Sequence, residues 1–199
     1  MKYFFITPLV LLLVFNAAAQ RVELLPDSLM KKSVIKMEFF SPLSGNTTIG
    51  YERYIKNFTS FEAKVGFIGL GKQFHDFRDV GIFVKAGPKF KLKPSYATEG
   101  TFGTHLLKGS YIRPELAFSV FSHDEYERRY DQTITSFAIL INYGKQHVLG
   151  RIMTLDWHVG LGYGFSNDDE QSYYYGYTAG GNDFPLAFSA GFTLGFLLK

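Results

Sequence analysis

An alternation of period two, recurring along almost the whole chain, constrains the fold more than any other feature of the sequence. Successive side chains of a strand point to opposite faces, so a sustained period of two with unlike faces reads as sheet with one apolar and one polar side. The last segment is the plainest case. From 184 to 199 the even positions are Phe184, Leu186, Phe188, Ala190, Phe192, Leu194, Phe196 and Leu198, while the odd positions are mostly small or polar. Before it, Met153, Leu155, Trp157, Val159, Leu161, Tyr163 and Phe165 alternate with Thr154, Asp156, His158, Gly160, Gly162 and Gly164. Residues 33–41, 46–55, 59–69, 80–92, 109–121 and 133–144 follow the same rule. Turn-forming residues separate the segments, and every connection permits an antiparallel meander. The spacing predicts an all-β chain of eight antiparallel strands in up-and-down order, and it is too uneven for a repeat solenoid or propeller.

Eight such strands can close with the apolar face inward, as a lipocalin-like carrier, or outward, as a transmembrane β-barrel. Residue size on the two faces favours the second. The apolar face is too bulky for an eight-stranded interior, which is just wide enough for side chains to fill. The other face carries many Gly, Ala and Ser residues together with charges of both signs: Lys36, Lys64, Lys85, Lys89 and Arg113 against Glu38, Glu52, Glu62, Glu115 and Asp156. With His158, these are the expected members of a self-compensating network inside the barrel, which leaves no isolated buried charge. Lys91 is set aside as a rim residue. Phe165 and Phe184 at one rim, and Phe61, Tyr143 and Phe196 at the other, suit two interfacial aromatic girdles.

The N-terminus reads as an export signal. Lys2 precedes an apolar stretch that ends in Ala17-Ala18-Ala19, the pattern of a secretory signal peptide. The expected organisation is a signal peptide at 1–19, a periplasmic N-terminal segment at 20–32 and an outer-membrane β-barrel at 33–199. The absence of Cys excludes disulfides, thiolate metal sites and a cysteine nucleophile. A net charge of +3 is too small for a nucleic-acid partner.

Near the C-terminus, Ser189-x-Gly191-x-x-Leu194-x-Phe196 resembles the barrel-assembly signal of outer-membrane proteins, although Leu197, Leu198 and Lys199 follow it. At the level of pattern the whole chain after 19 resembles the small eight-stranded outer-membrane barrels of Gram-negative bacteria, of the OmpA and OmpX type. Its Tyr-rich and Gly-rich strands look like small barrels of the Bacteroidetes. That resemblance implies periplasmic termini, with 42–45, 71–79, 122–132 and 166–183 as outward loops. It also implies outer-membrane lipid, lipopolysaccharide and the assembly machinery as partners of a monomer.

Candidate chemistry is sparse. Asp156 and His158 share a face at i, i+2, where a carboxylate could orient an imidazole for general-base catalysis; membership of the interior network is the preferred reading. Gly160, Gly162 and Gly164 lack a following helix and are spacers rather than a phosphate loop. Asp168, Asp169, Glu170, Tyr173, Tyr174, Tyr175 and Tyr177 are read as a solvated acidic loop tip with interfacial tyrosines, and Asp124, Glu125, Glu127, Arg128, Arg129 and Asp131 as surface ion pairs. No catalytic residue, cofactor or metal site is assigned. The expected role is structural or surface-interacting, with a barrel enzyme acting on lipid or peptide and a secreted lipocalin-like carrier as alternatives. Pro88 and Pro114 remove ladder donors and predict a frayed rim or a bulge beside the turn at 93–108. Arg53, on the apolar phase, is expected to snorkel at that rim.

Overall fold

The computed structural model describes residues 31–71, 78–92, 105–124, 132–150, 152–168, 174–180 and 183–198. The expected signal peptide and most of the 20–32 segment lie outside the described residues, as do Asp169, Glu170, Tyr173 and 125–131. The strands are β1 (Ser33–Glu38), β2 (Asn46–Lys56), β3 (Thr59–Ile68), β4 (Arg78–Lys91), β5 (Gly109–Asp124), β6 (Gln132–Leu149), β7 (Met153–Ser166), the two-residue β8 (Thr178–Ala179) and β9 (Leu186–Leu198). All pairings are antiparallel, and β1 pairs with both β2 and β9, so eight strands close into a barrel with β8 lying against one edge of β9.

The alternation holds on every wall strand. Ile35, Met37, Ile49, Tyr51, Phe61, Phe67, Val84, Phe118, Ile139, Leu161 and Phe188 are exposed on the outside, whereas Lys36, Glu52, Glu62, Lys64, Lys85, Lys89, Arg113, Glu115, Asp156 and His158 are buried inside. Arg53 lies on the outer face beside Phe61 and Ser33.

Three local features differ from expectation. First, Pro88 and Pro114 cause no bulge. The β4–β5 ladder runs through Ala86↔Leu116, skips the prolines, and resumes at Phe90↔Ile112 in the same register. The prolines therefore face each other across the two strands, and the missing donors fall at one site, with no residue inserted into either strand. Among the described residues, the register shift lies between Tyr54 and Lys56 on β2.

Second, β1 ends at Glu38 rather than at 41. Pro42 opens a 3-10 turn, Ser41–Ser44, closed by Gly45 at φ 78°, a left-handed conformation that suits glycine. The Ser41 hydroxyl donates to the Glu38 carbonyl and accepts from the Thr48 N–H, which fixes the turn over the end of β1.

Third, the tyrosine-rich segment is not a solvated tip. Tyr174, Tyr175 and Tyr177 are buried with Ile68, Phe83, Phe121, Ile134 and Leu140. Tyr174 stacks on Tyr177 at 5.4 Å, Tyr175 meets the edge of Phe121, and the Tyr175 hydroxyl donates to Asp79. Burial of these rings removes apolar area from water that a loop tip would leave exposed. Phe83 turns inward because Gly66 on the neighbouring strand vacates its space: a Cβ there would lie 2.0 Å from the ring. At the opposite end, near the chain termini, Val34, Leu107 and Leu197 form a second apolar plug, with Tyr54 and Val148 packed against it.

Candidate functional site: a charged lumen with a gap in its wall

Between the two plugs the interior is ionic. Lys36 reaches Glu52 at 2.5 Å, Glu62 at 2.5 Å and Asp156 at 2.8 Å, and Lys89 reaches the same three carboxylates at 3.2, 2.8 and 2.8 Å. Two ammonium groups from β1 and β4 are thus shared among three carboxylates from β2, β3 and β7. Gln146 accepts from both lysines at 3.2 and 3.0 Å, and Tyr111 donates to the second oxygen of Asp156 at 2.8 Å. Lys89 also sits 4.0 Å over the Tyr111 ring. Buried charges of this kind are tolerable only when each has partners on several sides, as here.

Oxygen atoms of Glu52, Glu62 and Asp156 lie within 4.8 Å of one another, a spacing that could hold a cation. Lys36 and Lys89 supply the positive charge among them instead.

Toward the loop end, Arg113 pairs with Glu62 and, at 2.7 Å, with Glu115. Lys64 lies 3.4 Å from Glu38 and 3.7 Å from Glu62. Lys85 lies 3.7 Å from Glu115 and donates to the Gly176 carbonyl at 2.5 Å, tying the inturned tyrosine segment to the network.

All the charged residues expected in the lumen are found there, and Lys91 has to be added. It reaches Glu52 at 3.7 Å and donates to the Leu107 carbonyl at 2.5 Å, with its ammonium buried. Asp79 is also buried, at the loop end, where it accepts from the Tyr175 hydroxyl.

Asp156 and His158 do not form a dyad. Both oxygens of Asp156 are engaged by Tyr111, Lys36 and Lys89, while neither nitrogen of His158 has a hydrogen-bond partner among the described residues. The Asn142 side-chain oxygen is likewise unpartnered, its amide being directed at the Arg113 carbonyl and Glu115.

The unpartnered groups lie beside a discontinuity in the wall. On the β1 side of β9 the ladder stops at Glu38↔Thr193, with Phe39 N–H bonded to the Phe192 carbonyl, and resumes at Thr178↔Phe188. Ser189, Ala190 and Gly191 have no ladder partner on that edge among the described residues. Continuous with this gap is a cavity of about 1110 Å³ lined from both faces of the sheet: Glu38, Asn46, Asn142, His158 and Ser189 from within, and Ile141, Trp157, Val159, Leu161, Phe188 and Phe192 from without.

Of the residues resembling an assembly signal, Ser189 and Gly191 therefore border the gap, and Leu194 and Phe196 point outward on the same strand. A Cβ on Gly191 would lie 2.4 Å from both the Glu38 carboxylate and the His158 ring, so these two side chains pack directly over Gly191, where only glycine fits.

No protein family, no curated protein and no solved structure matches this chain. Among the described residues no helix is long and apolar enough to cross a membrane, which does not bear on crossing by strands.

Proposed function

We propose that the protein is an integral outer-membrane barrel of the small eight-stranded kind, exported by residues 1–19, with a role that is structural or exerted through its surface loops. The observation that supports this most is the reversal of ordinary burial. Large apolar side chains such as Ile141, Val159, Leu161 and Phe196 ring the outside, more than half exposed, around fully buried Lys36, Glu52, Lys89 and Arg113. In water such a surface far exceeds the apolar patch a monomer carries, whereas against hydrocarbon it is the favourable arrangement. Except at residues 189–191 on the β1 side of β9, the wall strands pair around a closed ring, which suits a spanning sheet. On this reading lipid and lipopolysaccharide cover the outside, the assembly machinery recognises the β9 pattern, and the ionic lumen closes the barrel to flow.

The test is to express the chain with its leader, isolate outer membranes and compare unboiled with boiled samples on SDS gels, alongside circular dichroism of detergent-refolded protein. A membrane-bound, strand-rich species whose mobility changes on heating is the expected result. A product soluble without detergent would overturn the reading in favour of a secreted carrier, for which the 1110 Å³ cavity would be the ligand pocket.

A further inference from the structure

We propose that the rim of the barrel at the chain-termini end binds the headgroups of anionic phospholipids, of the phosphatidylglycerol class, through two anchors on opposite sides of the wall, Arg53 on β2 and Lys145 on β6. The inference rests on the membrane reading and deepens it, because it assigns a lipid chemistry to one edge of the apolar face.

Three observations carry it. The first is an order of residues that occurs twice. β2 and β6 both run toward the terminal end, and their outward positions there read Ile49, Tyr51, Arg53 and Ile141, Tyr143, Lys145, each of them exposed. Each strand thus passes at alternate residues from aliphatic to tyrosine to cation, matching the order of hydrocarbon, interface and phosphate met on leaving a bilayer core. In the ring of eight wall strands β2 and β6 are four apart in either direction, so the two cations stand on opposite sides of the barrel.

The second is the company of each anchor. Arg53 lies across from Ser33, whose hydroxyl accepts from the Tyr51 hydroxyl at 2.9 Å, and exposed Lys32 and Lys56 adjoin at the same end. Lys145 lies between Ser110 on β5 and Trp157 on β7, Tyr143 meets the Trp157 ring edge-on at 6.1 Å, and exposed Lys108 precedes β5 by one residue. Ammonium, guanidinium, hydroxyl and indole N–H groups are all donors suited to the oxygens of a phosphodiester. Tyrosine and tryptophan are the rings that settle at a membrane interface.

The third is the distribution of the opposite charge. At the terminal end Glu52, Glu62 and Asp156 are buried in the lumen with their own lysines, and no carboxylate among the described residues is exposed there. The loop end, by contrast, exposes Asp183. Lys145 and Lys108 both act on the His147 imidazole, and Lys91 and Lys31 on that of His105, so two separate points of the rim meet cations in pairs. A cation at such a surface favours an anionic leaflet by roughly fivefold, an attraction that salt screens. On the membrane reading the terminal end is the periplasmic one, and phospholipid rather than lipopolysaccharide is what it meets.

Trp157 is the chain's one tryptophan and lies across from Lys145, so it reports on that anchor, while the double variant Ile49→Trp, Trp157→Phe moves the reporter to the β2 anchor. Each protein would be refolded into phosphatidylcholine vesicles and its fluorescence measured with dibrominated phosphatidylglycerol or dibrominated phosphatidylcholine at equal bromine content. The expected result is a several-fold higher affinity for phosphatidylglycerol at both reporters, falling toward unity between about 0.05 and about 0.5 M salt. Lys145→Gln should remove most of the preference at Trp157 and leave it intact at the β2 reporter, and Arg53→Gln should do the reverse. Equal quenching by the two lipids would overturn the proposal while leaving the membrane reading intact, and so would a preference that both substitutions leave unchanged. Relief of quenching by unbrominated lipid A at a lower mole fraction than by unbrominated phosphatidylglycerol would overturn the choice of phospholipid. No quenching by either brominated lipid would mean that neither reporter meets lipid, and it is the membrane reading that would then fail.

Discussion

The two halves of the lumen are built from the same strands by the same alternation, yet they are finished differently. Toward the chain termini, Lys36 and Lys89 bind three shared carboxylates, Leu107 and its neighbours close the end, and β1 bridges β2 to β9 without interruption. Toward the loops, β1 has already turned away, a folded-back segment supplies Tyr174, Tyr175 and Tyr177, and His158 and Asn142 keep polar atoms without partners. A satisfied ion network costs a great deal to disturb and so specifies structure, whereas unsatisfied buried polar groups add no such hold. The most fully paired part of the lumen and its unpartnered polar atoms are thus separated along its axis.

Substitutions should reveal that asymmetry. The largest effect is expected for Lys89→Met, which removes one of the two lysines shared by Glu52, Glu62 and Asp156: loss of one partner from a buried cluster costs about 3–5 kcal/mol, read as a lower urea midpoint of the refolded protein. A change under about 1 kcal/mol would mean that the cluster does not hold the barrel together. Next comes Leu107→Ala, which empties the terminal plug and should cost about 2 kcal/mol or more in the same assay. His158→Leu should be close to neutral, within about 1 kcal/mol in either direction, because it breaks no hydrogen bond and removes an unsatisfied one.

The smallest effect is a pH dependence at the terminal end. Burial, helped by Lys91 and Lys31, holds the His105 imidazole down to about 4 from its ordinary value of 6.5, and its Nδ1 accepts from the Leu107 N–H at 3.2 Å. The unfolded chain then binds more protons than the folded one between those values. The contribution of this turn is therefore complete above about 6.5 and declines as pH falls toward 4. Thermal unfolding across that window should show the decline in the native protein and a flatter profile in His105→Ala.

Much of this architecture is legible in the sequence because a period of two is a local property. Which face Lys36, Glu62, Arg113 or Asp156 occupies follows from its neighbours alone, and closure of a meander follows from eight strands with one apolar face. The plugs are another matter. Tyr174, Tyr175 and Tyr177 sit in a stretch with no periodicity, and Leu107 lies in a long turn; their burial depends on lumen space left by residues far away in the chain. One signal was available: Phe83 and Tyr111 stand on the polar phase of their strands, which places an apolar ring in an otherwise ionic lumen and implies apolar company there. The break in the wall depends on where β1 stops. Phe39 still fits the alternation, so Pro42 marks a turn without saying that the strand ends at Glu38.

The central claim is that the apolar face meets lipid and the charged face meets only protein. The chain has no cysteine, so single cysteines can be placed along β7 and spin-labelled one position at a time. In vesicles, labels at 159, 161 and 163 should collide freely with oxygen and little with a water-soluble nickel chelate. Equal or greater access of the nickel chelate at 159, 161 and 163 would put that face in water and contradict the account.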